Sequence, residues 1–279
     1  MNQFMRTELL LGEEGMSKLK NSKVLIFGVG GVGGYVVEAL ARSGIGHLAL
    51  VDSDVVDITN INRQIIATLD VVGRPKVEVF RERIKAISAD TSVETHQVFY
   101  LPAANLSKVA QTSNTISLEG MSTTVNADYF DFKAFDYVVD AIDTVAAKLD
   151  IIERCNKCGT PIISAMGCGN RLDPSKLVIT DIFKTENDPL AKVIRKGLRD
   201  RGIKKLKVVA STELPTKPTA TGKDSNGRND ITDGTKNPDE TSGASSAPGK
   251  RSIPGSTAFV PPTAGLLIAS QVVRDILSK

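Results

Sequence analysis

The run GVGGVG at residues 28–33 is the first place where this 279-residue chain could do chemistry. Its glycines follow the spacing GxGxxG. Gly28 allows a tight turn, Gly30 and its neighbour Gly31 let the backbone approach a phosphate, and Gly33 lets a helix pack closely on a strand. The free N–H groups that open the following helix favour an anion. Asp52 comes about 20 residues further on, where a carboxylate accepts ribose hydroxyls. The usual ligand of such a turn is NAD or FAD. The next residues point elsewhere. NINRQIIATLDVVGRPK, from Asn60 to Lys76, carries the polar residues Asn60 and Gln64 and the cations Arg63 and Lys76. Paired cations suit a triphosphate and its departing pyrophosphate, because such chemistry is mostly positioning and charge neutralisation. Asp140 and Asp143 then end an apolar run, FDYVVDAID. A carboxylate there suits Mg2+, which binds one or two carboxylates together with substrate phosphates. Taken singly, Arg63 or Lys76 also reads as an ordinary surface charge. The set in this order is more specific than any member.

These residues need a frame that brings them together. KVLIFG reads as a buried strand, and YVVEALARSG as a helix with Val36, Val37, Leu40 and Ala41 at helical spacing and Gly44 past its end. HLALVD is a second strand, which completes a βαβ unit. ATLDVVGRPKVEVFRERIKAIS reads as a turn and an amphipathic helix, and SVETHQVFY as an alternating strand. FDYVVDAID is a central parallel strand, TVAAKLDIIERCNKCG a helix, and TPIISAM another buried strand. Strands alternating with helices imply an α/β fold, a Rossmann-like, doubly wound and mostly parallel sheet with helices on both faces. Residues 1–279 are expected to form a single domain with polar surface loops near 111–126 and 216–251. The second loop is too poor in apolar residues to offset its ordering entropy and is expected to be mobile. TAFVPPTAGLLIASQVVRDILSK returns to an extended stretch and an apolar helix.

The rest of the chain narrows the partners. The net charge is only +3, yet KVIRKGLRDRGIKKLK, from Lys192 to Lys207, holds a single acid. Lys192, Arg195, Lys196, Arg199, Arg201, Lys204 and Lys205 could lie along a nucleic-acid backbone, or they could form a solvated helix face. Cys155 and Cys158 form one CxxC, with no second pair and only two histidines, so a structural zinc site is not expected. Cys168 stands alone in MGCGN, open as a small core residue or as a reactive thiol. There is no long apolar run and no signal-peptide pattern, so no membrane association and a cytoplasmic location are expected.

GVGGVG, ALARSGIG, LVDSDVVDITNINRQ, GRPKVEV and VVDAIDT resemble the ubiquitin-activating-enzyme-like adenylyltransferases, the superfamily of bacterial ThiF and MoeB. RTELLLGEEG, TNINRQIIAT, VVDAIDTVAAK, MGCGNRLDP, NDPLAKVIRKGLR and FVPPTAGLLIAS are more closely similar to the tRNA threonylcarbamoyladenosine dehydratases. The resemblance implies ATP and Mg2+ as cofactors. It implies that Asp52 holds the ATP ribose, that Asn60, Arg63 and Gln64 contact phosphates, that Lys76 neutralises the α-phosphate region, and that Asp143 binds Mg2+ and is catalytic. Arg6 would reach into the ATP site of the partner subunit of a homodimer. The reaction implied is attack of a threonyl carboxylate, on a modified adenosine beside the tRNA anticodon, on the α-phosphorus of ATP. The tethered carbamoyl group then closes a ring and expels AMP, so no further protein nucleophile is needed. Two other functions compete: an adenylyltransferase for a small sulfur-carrier protein ending in Gly-Gly, with a sulfur-relay partner, and a nucleotide sensor without turnover. The intact Arg63, Lys76 and Asp143 disfavour the sensor. The basic stretch and the single CxxC favour the tRNA enzyme over the sulfur-carrier enzyme.

Overall fold

The computed structural model describes residues 2–102, 123–125, 129–216 and 254–279. The expected polar loops, apart from 123–125 and Thr216, fall outside these residues. The chain opens with helix α1, Met5–Asn21, broken in backbone geometry at Gly12, where φ is 74°. No helix is expected there from sequence. Its exposed Leu9 and Leu10 hide the periodicity that marks a packed face.

Strand β1, Lys23–Phe27, leads through the glycine turn into α2, Gly33–Arg42. Strand β2, His47–Val51, follows, then α3, Lys76–Ile87, and β3, Ser92–His96. The segment expected as one strand, SVETHQVFY, divides at Gln97. Its second part is β4, Val98–Tyr100, which pairs in parallel with β5, Thr123–Val125, as a separate small sheet. So part of the expected polar excursion is strand. The main chain path continues through β6, Tyr137–Asp140, α4, Val145–Cys158, and β7, Ile162–Ala165. It then runs through β8, Leu177–Asp181, α5, Pro189–Asp200, β9, Lys207–Ser211, and α6, Val260–Leu277.

The main sheet has seven strands in the order β3-β2-β1-β6-β7-β9-β8, parallel except for β8 against β9. This matches the expected doubly wound sheet. The continuous apolar run of β1 has a simple cause. Successive side chains alternate across the sheet, and both faces are covered. Val24 and Ile26 join the layer built with Leu40 of α2 and Ile268 of α6. Leu25 and Phe27 join the opposite layer with Ala147, Ile151 and Cys155 of α4. Strand β1 lies between β2, which the chain enters next, and β6, which it reaches later, so the loops after β1 and β6 part at the carboxyl edge, in the kind of crevice where open α/β sheets bind ligands. Among the described residues no helix is long and apolar enough to cross a membrane.

Candidate active site at the carboxyl edge of the sheet

The glycine turn divides into positions that the fold requires and positions that it leaves open. Gly28 has φ +82°, and a Cβ there would lie 2.8 Å from the Ala141 carbonyl oxygen. A Cβ on Gly33 would lie 1.8 Å from the Gly28 carbonyl oxygen. These two glycines let α2 start directly against β1 and β6. At Gly30 the nearest atom to an added Cβ is Gln64 Nε2 at 3.6 Å, an ordinary contact. The chain itself does not fill that space. At Gly31 the neighbours are Arg63 Cγ and Pro261 Cβ, both at 3.4 Å. The first turn of α2 carries no acid that would compete with an anion.

Asp52 is tied into this turn. One carboxylate oxygen accepts from the Val29 N–H at 2.8 Å and the other from the Asp54 N–H at 2.9 Å. Burial holds its carboxyl above the ordinary value, while the positive charge of Lys76 pulls the other way. Lys76 is no surface charge. It is buried at the first residue of α3, and its Nζ lies 2.7 Å from Asp54 Oδ2. The Lys76 N–H also donates to the Asp54 carbonyl at 3.0 Å. Asp54 joins the two candidate residues Asp52 and Lys76, and motif reasoning missed it. The only sequence signal is its place two residues after Asp52, too common to single out.

Asn60 ends a short 3-10 turn and closes a capping box. Its Oδ1 accepts from the Asp57 N–H at 3.1 Å, while the Asp57 carboxylate accepts from the Thr59 N–H at 2.7 Å. Arg63 donates through one guanidinium nitrogen to the Thr59 carbonyl and to Asn62 Oδ1, each at 2.9 Å. Gln64 is buried, and its Oε1 has no hydrogen-bond partner. A buried amide oxygen without a partner is one of the few exceptions to the pairing of buried polar atoms.

The two aspartates at the end of β6 have separate fates. Asp140 is fully buried. Its Oδ2 lies 2.9 Å from Lys148 Nζ and accepts from the Ser164 hydroxyl, and its Oδ1 accepts from the Ile142 N–H at 3.3 Å. It fixes the turn and offers nothing to a ligand. Asp143 lies at the exposed end of that turn, with no hydrogen bond or ion pair among the described residues. It follows Ala141 and Ile142, which lie against Gly28. No group of three His, Cys, Asp or Glu side chains suited to a metal occurs among the described residues.

A family model described as ThiF matches residues 2–276. The chain belongs to the ThiF family. It is 40% identical over 278 residues to a tRNA threonylcarbamoyladenosine dehydratase of Bacillus subtilis, covering 99% of this chain and 95% of that protein. It also resembles the crystal structure of E. coli tRNA N6-threonylcarbamoyladenosine dehydratase, TcdA, in complex with AMP, with a TM-score of 0.74 and 28% identity over 99% of this chain and 94% of that one. The ATP complex of the same enzyme matches with a TM-score of 0.72 and 27% identity, over the same shares of the two chains.

In this ThiF-family chain the basic stretch is the outer side of α5 and the turn after it. Ile194 and Leu198 face the core. Lys192, Lys196, Lys204 and Lys205 are exposed. Arg195 is different. Its guanidinium donates to the Thr185 carbonyl at 2.9 Å and to the Thr185 hydroxyl. Arg201 pairs with Glu153 at 3.0 Å, and Arg199 sits 5.5 Å from the centre of the Phe183 ring. Sequence spacing could not separate these engaged arginines from the exposed lysines. Arg6 is exposed on the first turn of α1, without a partner among the described residues.

The cysteines of the ThiF fold are free and tucked in. Cys155 is buried on α4, and burial pushes its thiol far up. Cys168 lies in the loop after β7, half-buried against the core, and burial pushes its thiol up to about 12. A thiol so held is neutral near pH 7, the state of a small core residue and not of an activated nucleophile.

Proposed function

We propose that this protein is an ATP-dependent tRNA threonylcarbamoyladenosine dehydratase. The reading is carried by one observation: 40% identity to a dehydratase of that name along nearly the whole length of both chains. The substrate carboxylate would attack the α-phosphorus of ATP, pyrophosphate would leave, and the tethered carbamoyl group would displace AMP. The α2 N-terminus and Gly30 would receive phosphates, and Asp52 the ribose hydroxyls. Lys76 is pre-oriented by Asp54 beside Asp52, so its charge is in place before ATP arrives, which is the condition for electrostatic stabilisation without reorganisation. Arg63, Asn60 and Gln64 would line the phosphate path.

Asp143, free and exposed at the mouth, fits Mg2+, which prefers one or two carboxylates plus substrate phosphates. Mg2+ there would neutralise charge on the departing pyrophosphate. Lys192, Lys196, Lys204 and Lys205, with Arg199, would grip tRNA phosphates. Arg195 and Arg201 would brace the helix that presents them. We also read the protein as a cytoplasmic homodimer in which Arg6 serves the ATP site of the partner subunit. The apolar Leu9 and Leu10 exposed near Arg6 support that reading.

The test is ATP–pyrophosphate exchange, run with tRNA carrying the modified adenosine and separately with carrier proteins ending in Gly-Gly. Exchange and AMP release only with the tRNA are expected. Exchange only with a carrier protein would establish the sulfur-carrier alternative. Calorimetry should show ATP binding in the presence of Mg2+ and none with NAD. Saturable NAD binding with no effect of ATP would reject the whole reading.

A further inference from the structure

Residues 254–259 run into α6 across the mouth of the crevice. Asn170, in the loop after β7, holds one end. Its N–H donates to the Gly255 carbonyl at 2.7 Å, and its Oδ1 accepts from the Gly255 N–H at 2.6 Å. Asn170 adopts φ 58°, an uncommon left-handed conformation that asparagine tolerates better than most side chains. Gly169 lies so close to Pro254 that a Cβ would sit 2.9 Å from Pro254 Cβ. The other end is held by the nucleotide half. Asn62 Nδ2 donates to the Ser256 carbonyl at 3.1 Å, and Pro261 lies against Gly31. Thr257 is therefore bracketed by one contact to the Asn60–Gln64 turn and one to the glycine turn.

Two side-chain atoms among the described residues are buried without a hydrogen-bond partner: Thr257 Oγ1 and Gln64 Oε1. They belong to the two segments that these contacts join. Buried polar atoms are almost always paired, so an orphan on each of these two joined segments leaves a place for a polar partner that the chain does not supply. Gln64 approaches Gly30 through its Nε2, and Pro261, four residues after Thr257, lies against Gly31, where the start of α2 favours an anion. A hydroxyl can donate to an anionic oxygen, and a Gln amide can turn its NH2 toward one.

We propose that segment 254–259 is a third wall of the nucleotide site and that the Thr257 hydroxyl donates a hydrogen bond to a phosphate oxygen of the bound nucleotide. The inference rests on the nucleotide reading of the crevice, but not on the identity of the acyl substrate. Asn170 acts as a positioning residue that holds this wall.

The experiment compares wild type, Thr257→Val and Thr257→Ser as full-length chains, by calorimetric titration with ATP and by melting without ligand. Valine keeps the shape and removes the hydroxyl. It should weaken ATP binding about tenfold, the loss expected for one hydrogen bond to a charged group. Its ligand-free melting temperature should not fall, because the hydroxyl has no partner to lose. Serine should keep near-wild-type affinity. Unchanged ATP affinity in Thr257→Val, with wild type binding ATP normally, would overturn this inference alone. Failure of wild type to bind ATP would overturn the nucleotide reading and this inference with it. A lowered ligand-free melting temperature with unchanged affinity would make Thr257 a structural residue and also overturn it.

Discussion

The crevice at the carboxyl edge and the outer face of α5 both present cations, but they present them in opposite ways. Lys76 is buried and fixed to Asp54 at 2.7 Å. The lysines of α5 and its following turn project into solvent. A cation already fixed in place can act on one developing charge with little reorganisation. Exposed lysines act through release of counterions, so their contribution fades with salt. The first arrangement is suited to chemistry on one phosphate group and the second to holding a polyanion.

The sharpest way to break the dry side is at its buried pair. Asp140→Asn leaves Lys148 charged and unpaired in a fully buried place. Breaking such a pair costs about 3–5 kcal/mol, since the remaining charge loses its compensating partner. A large drop in melting temperature is expected, with activity lost through unfolding. An unchanged melting temperature would show that water reaches Lys148 and that the pair is not dry.

The next effect separates chemistry from folding. Asp143→Ala and Lys76→Ala should each lower the rate of AMP release about 10²–10³-fold, the usual loss for a transition-state anchor. Asp143 has no partner among the described residues, so its variant should melt like wild type. Lys76→Ala leaves Asp54, which is half exposed, to be solvated, so its stability loss should be modest. Near-wild-type turnover in either variant would remove that residue from the catalytic set.

How much of this contrast is legible in sequence follows from the range of the forces involved. Gly28 and Gly33 are readable because their need is local: a turn that doubles back on its own strand leaves no room for a Cβ. The alternation in β1 is readable because its period is two residues. Asp54, Lys148 and Asn170 are not readable in the same way. Their partners lie 22, 8 and 85 residues away. Which of Asp140 and Asp143 is buried depends on Lys148 and Ser164 arriving from α4 and β7. The same holds on the wet side. Arg195 looks like its neighbours in the sequence, yet the turn at Thr185 captures it. Helix α1 stays hidden because its leucines face outward, so no buried stripe marks it.

A smaller effect tests the wet side. Lys192, Lys196 and Lys204 replaced together by Ala should weaken tRNA binding. The salt dependence should flatten by about 0.7–0.9 log units per log unit of salt for each phosphate that is no longer neutralised. The affinity for ATP should not move. An unchanged salt slope would make the α5 face a solvated surface and send the tRNA elsewhere. Arg195→Ala serves as the contrast. It should lower stability by releasing Thr185, because its guanidinium is already engaged inside the fold.

The smallest effect is expected at the cysteines, and it bears on which acyl group the crevice activates. Cys168 sits in the loop after β7, at the carboxyl edge of the sheet. Burial raises its thiol to about 12, with Asp188 adding to the rise. The thiolate fraction at pH 7 is then negligible, and the thiolate is the nucleophilic form. A tethered carbamoyl nucleophile needs no thiolate, because proximity already supplies the attack. Replacing Cys155, Cys158 and Cys168 together with Ala or Ser should therefore leave cyclisation of the modified tRNA nearly intact. Some stability will be lost at Cys155, which is fully buried on α4. For that reason Cys168→Ala alone is the cleaner probe, measured as AMP release beside a melting curve. If this single variant folds and binds ATP normally but no longer releases product, the thiol takes part in the chemistry. The carrier-protein reaction would then account for the crevice better than the tRNA reaction does.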